Sequence, residues 1–260
     1  MNTERYAVAR TTMCSLRLDS PDPASADDFY SALAGRPRAA AFSGDSTLPT
    51  ARQRIAHSHP SDVSRWIVGF AVADVPAALE RCTAAGAVVQ SARSHDGALR
   101  IRDPDGALFE LWSVGTGHRD PGTHDVVLAD LYTRQVADAT SFYSSALDLR
   151  ADVLPDEPSD YIMLSAAGTH VAGILDMTSF LEPATPAQWL PYFHYPTVDR
   201  GIARATALGA WVVVPRSPSP TGEYALLQDS WGGLFGLWDG RSLAQPGTAG
   251  HGGLSGMGPR

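Results

Sequence analysis

The chain has 260 residues, is 44% hydrophobic and carries a formal charge of −8, enough to bury two ordinary cores of about 120 residues each. The acidic balance, with a pI near 5.4, argues against a nucleic-acid backbone partner, which favours a basic face. All 20 basic residues are arginine, so a Schiff-base lysine, and with it pyridoxal-type chemistry, is excluded outright.

A first strand is expected over residues 12–18. The Ser20-Pro21-Asp22-Pro23 turn then feeds a helix carrying Phe29, Tyr30 and Leu33, stopped by Gly35. Residues 37–60 scatter Pro, Ser and Gly among short apolar runs, which suggests two short strands and a loop. The signal sharpens with a strand over 66–72, a helix over 75–85 ended by Gly86, and strands over 87–90, 98–102 and 108–112 around a turn at 103–106. Further on, strands are expected over 126–132, 161–165, 169–175, 192–196, 211–214, 224–228 and 234–238. Helices are expected over 137–147 and 200–207. Cys14 and Cys82 supply neither a disulfide framework nor a thiolate metal cluster. No apolar run is long enough to span a bilayer and no signal peptide is evident, so a cytoplasmic protein is expected. Arginine-only basic content with abundant Ala, Gly and Pro reads as the codon bias of a GC-rich, actinobacterial genome.

The elements repeat. Phe29-Tyr30 returns as Phe142-Tyr143, at an offset of 113 residues. The Asp103-Pro104-Asp105-Gly106-Ala107-Leu108-Phe109-Glu110-Leu111-Trp112 stretch returns as Asp229-Ser230-Trp231-Gly232-Gly233-Leu234-Phe235-Gly236-Leu237-Trp238, at an offset of 126. The chain is therefore a duplication, with about thirteen extra residues in the middle of the second copy and a period far beyond the roughly 20–50 residues of solenoids.

Four successive β-α-β-β-β modules, an Asp-Pro-aided lead-in to a Phe-Tyr helix, and the Asp-Pro-Asp-Gly-x-x-Phe-Glu-Leu-Trp ending resemble the vicinal oxygen chelate superfamily. That group includes glyoxalase I, bleomycin-resistance proteins and extradiol dioxygenases. The resemblance implies an α+β fold of two glyoxalase-like domains. Each would be a cupped, incomplete eight-stranded barrel of two modules. The first domain is placed at 1–114, a linker at 115–123, the second domain at 124–242 and a disordered tail at 243–260. Metal-binding members take ligands from the first, fifth and eighth strands. Alignment on the Phe-Tyr helix puts Ser15, Ile67 and Glu110 at those positions in copy one, and Leu128, Tyr192 and Gly236 in copy two. One credible ligand in the first set and at best a phenol in the second imply no metal and no other cofactor.

Strand alternation then nominates what lines the cavities. Leu128, Asp130 and Tyr132 share a face, as do Tyr192 and His194, and Gly236 and Trp238. Asp130 beside His194 would be either a buried pair tying two strands or, with Tyr192, an acid–base site walled by Tyr132 and Trp238. In copy one the inward set is Ser15, Arg17, Glu110 and Trp112, with Asp19 near the rim and an Arg17–Glu110 ion pair expected to close the cavity. His170 is a further candidate to face the second cavity. His57, His59, His118, His124 and His251 carry less weight. The expected function is metal-independent acid–base catalysis in secondary metabolism: cyclisation, dehydration or ketal formation on an aromatic, polyketide-like substrate. A drug- or metabolite-binding protein of the bleomycin-resistance kind is the alternative. A metal-dependent glyoxalase or dioxygenase is disfavoured by the lost ligands. The partner is an aromatic small molecule, with neither nucleic acid nor membrane, and the protein is a monomer or homodimer.

Overall fold

Polar residues just ahead of apolar helical stripes set where helices begin in the computed structural model, which describes residues 11–34, 53–55, 62–90, 97–114, 126–154, 161–219 and 222–240. Asp22 accepts a hydrogen bond from the Ser25 backbone N–H and leads α1 (Pro23–Leu33). Asp74 does the same for Ala77 and leads α2 (Val75–Ala84). Proline occupies the first turn of both, where its missing N–H would have had no helical partner. α3 (Val136–Leu147) ends at Asp148 in the left-handed conformation, and α4 (Val198–Ala207) starts behind Thr197. The buried stripes are Ala26, Phe29, Tyr30 and Leu33 on α1, and Ala139, Phe142, Tyr143, Ala146 and Leu147 on α3.

The strands are β1 (Thr12–Asp19), β2 (Gln53–Ile55), β3 (Arg65–Val72), β4 (Val88–Val89), β5 (Leu99–Arg102), β6 (Leu108–Ser113) and β7 (Val126–Thr133). They continue with β8 (Arg150–Leu154), β9 (Tyr161–Ala166), β10 (Thr169–Asp176), β11 (Gln188–His194), β12 (Trp211–Ser219), β13 (Gly222–Gln228) and β14 (Leu234–Trp238). Each module runs its first strand parallel to its last: β1 with β2, β3 with β6, β7 with β10, and β11 with β14. First strands then pair antiparallel, β1 with β3 and β7 with β11, to make two cups. The cups fuse where Trp66 of β3 faces Trp189 of β11, giving one open sheet of fourteen strands among the described residues. This is the α+β architecture the sequence implies. No helix among the described residues is long and apolar enough to cross a membrane.

The helices lie across the two halves, α2 against α3 and α1 against α4. This arrangement explains the two sequence repeats, because each repeat binds the other. Tyr143 on α3 donates to Asp103 Oδ2 at 2.9 Å, and Tyr30 on α1 donates to Asp229 Oδ2 at 2.8 Å. The second oxygen of each carboxylate shapes its own turn. Asp103 Oδ1 accepts from the Asp105 and Ala107 N–H groups, and Asp229 Oδ1 from those of Trp231 and Gly233. Burial pushes both carboxyls above the usual range and both phenols far above theirs, so the phenol stays the donor.

Three sequence expectations need correction. β8 was missed, its Arg150, Asp152 and half-exposed apolar residues giving no clean alternation. β11 starts at Gln188 and stops at His194 instead of running from 192 to 196. Pro191 lies within it, beside an irregularity at Tyr192/Phe193, and a proline argues against a central strand in sequence. Copy two's extra residues are also split: Val75 aligns with Val198, an offset of 123, so three of them fall later, around the long β12–β13 hairpin. The proposed linker and tail, His57, His59, His118, His124 and His251, and strands in 37–60 other than β2 lie outside the described residues.

Removing either phenol hydroxyl leaves a buried carboxylate short of a donor. Tyr143→Phe is expected to destabilise the fold by about 1–3 kcal/mol, with Tyr30→Phe similar. Urea unfolding that leaves both variants at the parent's stability would contradict the cross-half tie.

Candidate functional site

The register aligns two equivalent triplets. Ser15 pairs with Gly69, which pairs with Glu110; Leu128 pairs with Tyr192, which pairs with Gly236. The fifth-strand position of copy one is therefore Gly69, not Ile67, which pairs with Arg17. The cause is the offset of 123 at this point. A β-carbon added at Gly69 would collide with the Ser15 hydroxyl and the Trp112 indole, so that space is already filled. At Gly236 a β-carbon would meet the Tyr192 ring.

Glu110 is committed elsewhere. Its carboxylate meets Arg17 Nε at 3.1 Å and Arg100 Nη2 at 3.2 Å, while Arg100 Nη1 reaches Asp19 at 2.7 Å. The Arg17 guanidinium lies 5.1 Å from the Trp112 ring centroid. All four charged residues are buried, two cations against two anions, so the first cup is closed by a neutral quartet. The Arg17–Glu110 contact was legible from strand parity. Arg100 was missed, although the 103–106 turn places it opposite Glu110. Among the described residues, no group of three or more His, Cys, Asp or Glu could hold a metal ion. The donors present do not fit the ion characteristic of the resembling superfamily.

In the second cup, Leu128, Tyr132, Tyr192 and Trp238 gather in one apolar cluster with Leu190 and Leu226. Asp130 is buried among them, but His194 is not its partner. β7 and β11 are antiparallel, so a step of two along each moves in opposite directions. Asp130 lies opposite Leu190, four positions from His194, or roughly 13 Å along the strand. His194 sits exposed at the end of β11, its ring 6.3 Å from that of Trp238.

Asp130 instead accepts from Tyr161 on β9, Oη to Oδ1 at 3.0 Å. Tyr161 must reach across β10 to do so, and it crosses where β10 carries Gly173, the register partner of Asp130. A β-carbon at Gly173 would fall on the Tyr161 hydroxyl and the Asp130 carboxylate. On its other side the Tyr161 hydroxyl stands 3.1 Å from His170 Nε2. Sequence reasoning held His170 as a candidate and overlooked Tyr161; the glycine in an apolar strand, a mark of close approach, was the available signal.

The Tyr132 and Tyr192 hydroxyls are in direct hydrogen-bond contact. Tyr192 is opposite Leu128, and Tyr132 is opposite Gln188, so the rings lean together over the interval occupied by Asp130 and Leu190. Phe180, on the connection from β10 to β11, meets Tyr132 edge-on at 5.6 Å. Burial pushes the Asp130 carboxyl up to about 7, against the lowering effect of the Tyr161 and Gly173 hydrogen bonds. Burial also raises the Tyr132, Tyr161 and Tyr192 phenols well above their ordinary range, with Asp130's charge as a further cause, and lowers the His170 imidazole. The site thus offers one carboxyl that changes state near neutrality and neutral phenols that donate hydrogen bonds.

Residues 15–112 match the Glyoxalase-like domain family. That segment is under half of the chain, and it is similar to the domain on which glyoxalases are built. No curated protein matches the chain by sequence. Among solved structures, the Mn(II)-bound glyoxalase from Novosphingobium aromaticivorans aligns with a TM-score of 0.60 at 17% identity, over 89% of this chain and 83% of that one. An extradiol ring-cleaving dioxygenase from B. fuscum aligns at 0.61 and 14%, over 96% and 77%. The 2,2′,3-trihydroxybiphenyl 1,2-dioxygenase from Sphingomonas wittichii aligns at 0.58 and 15%, over 89% and 91%. These likenesses establish the shared fold.

A carboxyl raised from 3.8 to about 7 is neutral in the folded chain and ionised in the unfolded chain between those values. Stability from this group is present below pH 3.8 and is lost as pH rises through 7. Asp130→Asn abolishes that titration. The stability difference, variant minus parent, should rise between about pH 4 and pH 7 and level off above that, by an amount on the order of a few kcal/mol. A pH-independent difference would show that Asp130 does not titrate in this range.

Proposed function

We propose that the chain is a metal-independent acid–base catalyst acting on a small aromatic molecule that carries a carbonyl or enol, bound in the second cup. Asp130 moves the proton, and within the Tyr132–Tyr192 pair one hydroxyl donates to the other, which donates in turn to the oxygen on which negative charge develops. Leu128 and Trp238 supply apolar wall. Cyclisation, dehydration and ketal formation all need such proton movement against a shaped surface. A polyketide-like substrate, in an actinobacterial and cytoplasmic setting, is the fuller form of this proposal. The observation that carries it is a buried carboxyl, raised by burial to about 7, beside two hydrogen-bonded phenols, one of them at a position aligned with a ligand of metal-binding members. The aromatic substrate class draws support from a structural neighbour named as a trihydroxybiphenyl dioxygenase. A ligand-sequestering protein is the second reading, favoured by how completely Phe180 and its neighbours cover Tyr132.

The test is exchange of α-protons for deuterium in a panel of aryl ketones and keto-phenols, followed by NMR. The protein should accelerate exchange, chelator should leave the rate unchanged, and Asp130→Asn should lower it by about 10²–10⁴-fold. Binding with no exchange by any variant, and affinity lost chiefly on Trp238→Ala, would establish sequestration instead.

A further inference from the structure

The His170 imidazole serves no wall of the second cup, yet its contacts define a direction. Nε2 lies 2.9 Å from the Ala172 carbonyl oxygen, which can only accept. Nε2 therefore carries the proton, and the Tyr161 hydroxyl 3.1 Å away stands before a second donor geometry from the same N–H. Tyr161 accepts there and donates its own proton to Asp130 Oδ1 at 3.0 Å. Every donor along His170–Tyr161–Asp130 points the same way. His170 is partly exposed, whereas Asp130 is buried. Gly173 alone, on the strand between, leaves room for the middle link.

We propose that His170 and Tyr161 are a proton conduit joining solvent to Asp130, an inference that rests on Asp130 being the proton carrier. A proton from water bonds to His170 Nδ1. The Nε2 proton passes to the Tyr161 oxygen, and the Tyr161 proton passes to the ionised carboxylate. Three bonds to hydrogen form and three break, no electron pair changes owner between heavy atoms, and the imidazole is left as its Nδ1–H tautomer. Return of a proton by the same route restores the starting tautomer, so one uptake and one release per cycle reset the chain. The other ionisable groups facing Asp130 are the Tyr132 and Tyr192 phenols, with Tyr224 beside them. They lie on the cup side and lead to the bound molecule instead of to solvent.

The experiment needs no substrate. The full chain at about pH 5, where Asp130 is protonated, is mixed rapidly into D₂O, and the carboxylic acid C=O stretch lost in Asp130→Asn is followed by infrared. Exchange in the parent should be complete within mixing. It should slow by roughly tenfold or more in Tyr161→Phe and in His170→Ala, stay fast in His194→Ala, and recover in His170→Ala when imidazole is added. Recovery by imidazole separates proton transfer from a structural role. Should Tyr161→Phe fail to fold, His170→Ala with and without imidazole decides alone. Unslowed exchange in folded variants that keep the band overturns the conduit and leaves the Asp130 reading intact. A parent lacking the band overturns both.

Discussion

Tyr30 and Tyr143 each donate to a carboxylate contributed by the other half of the chain, and the architecture depends on that exchange. The aspartate that receives the hydrogen bond also organises the turn before the last strand of its module. A single carboxylate therefore fixes a hairpin with one oxygen and docks a foreign helix with the other. The apolar core is accordingly continuous through both halves, with Phe70 of β3 packed on Trp189 of β11 and on Tyr143 of α3. Neither half could be removed without leaving a buried carboxylate short of a partner, which is costly in a low-dielectric interior.

With the scaffold held this way, the two cups diverge through small changes at equivalent positions. In the first, Gly69 lets Ser15 and Trp112 fill the centre, while Arg17 and Arg100 neutralise Glu110. In the second, glycine at 236 lets Tyr192 lie across β14, and glycine at 173 lets Tyr161 lie across β10. Both phenols thereby reach the neighbourhood of one buried carboxyl. Missing side chains, more than added ones, build this site.

Much of the fold was legible because it is written twice. The Phe-Tyr helix and the Asp-led turn are strong local signals, and their repetition fixes module order without any tertiary information. That the repeats touch each other was not legible, since offsets of 113 and 126 say nothing about which copy of a turn meets which helix. The faces of β7 and β11 followed from alternation, and Tyr132 and Tyr192 share one apolar cluster. Their partners did not follow. Alternation gives a face but no direction of travel, and in an antiparallel pair that omission carried His194 away from Asp130. Tyr161 escaped notice because its reach depends on a neighbour having no side chain.

Proton transfer in the second cup depends on the protonation of one carboxyl. Site-specific ¹³C titration of the Asp130 side chain, assigned by its loss in Asp130→Asn and repeated with chelator, tests it most directly. A midpoint near 7 that chelator does not move is expected. A midpoint in the ordinary carboxylate range, or one that shifts when a bound ion is stripped away, would contradict it.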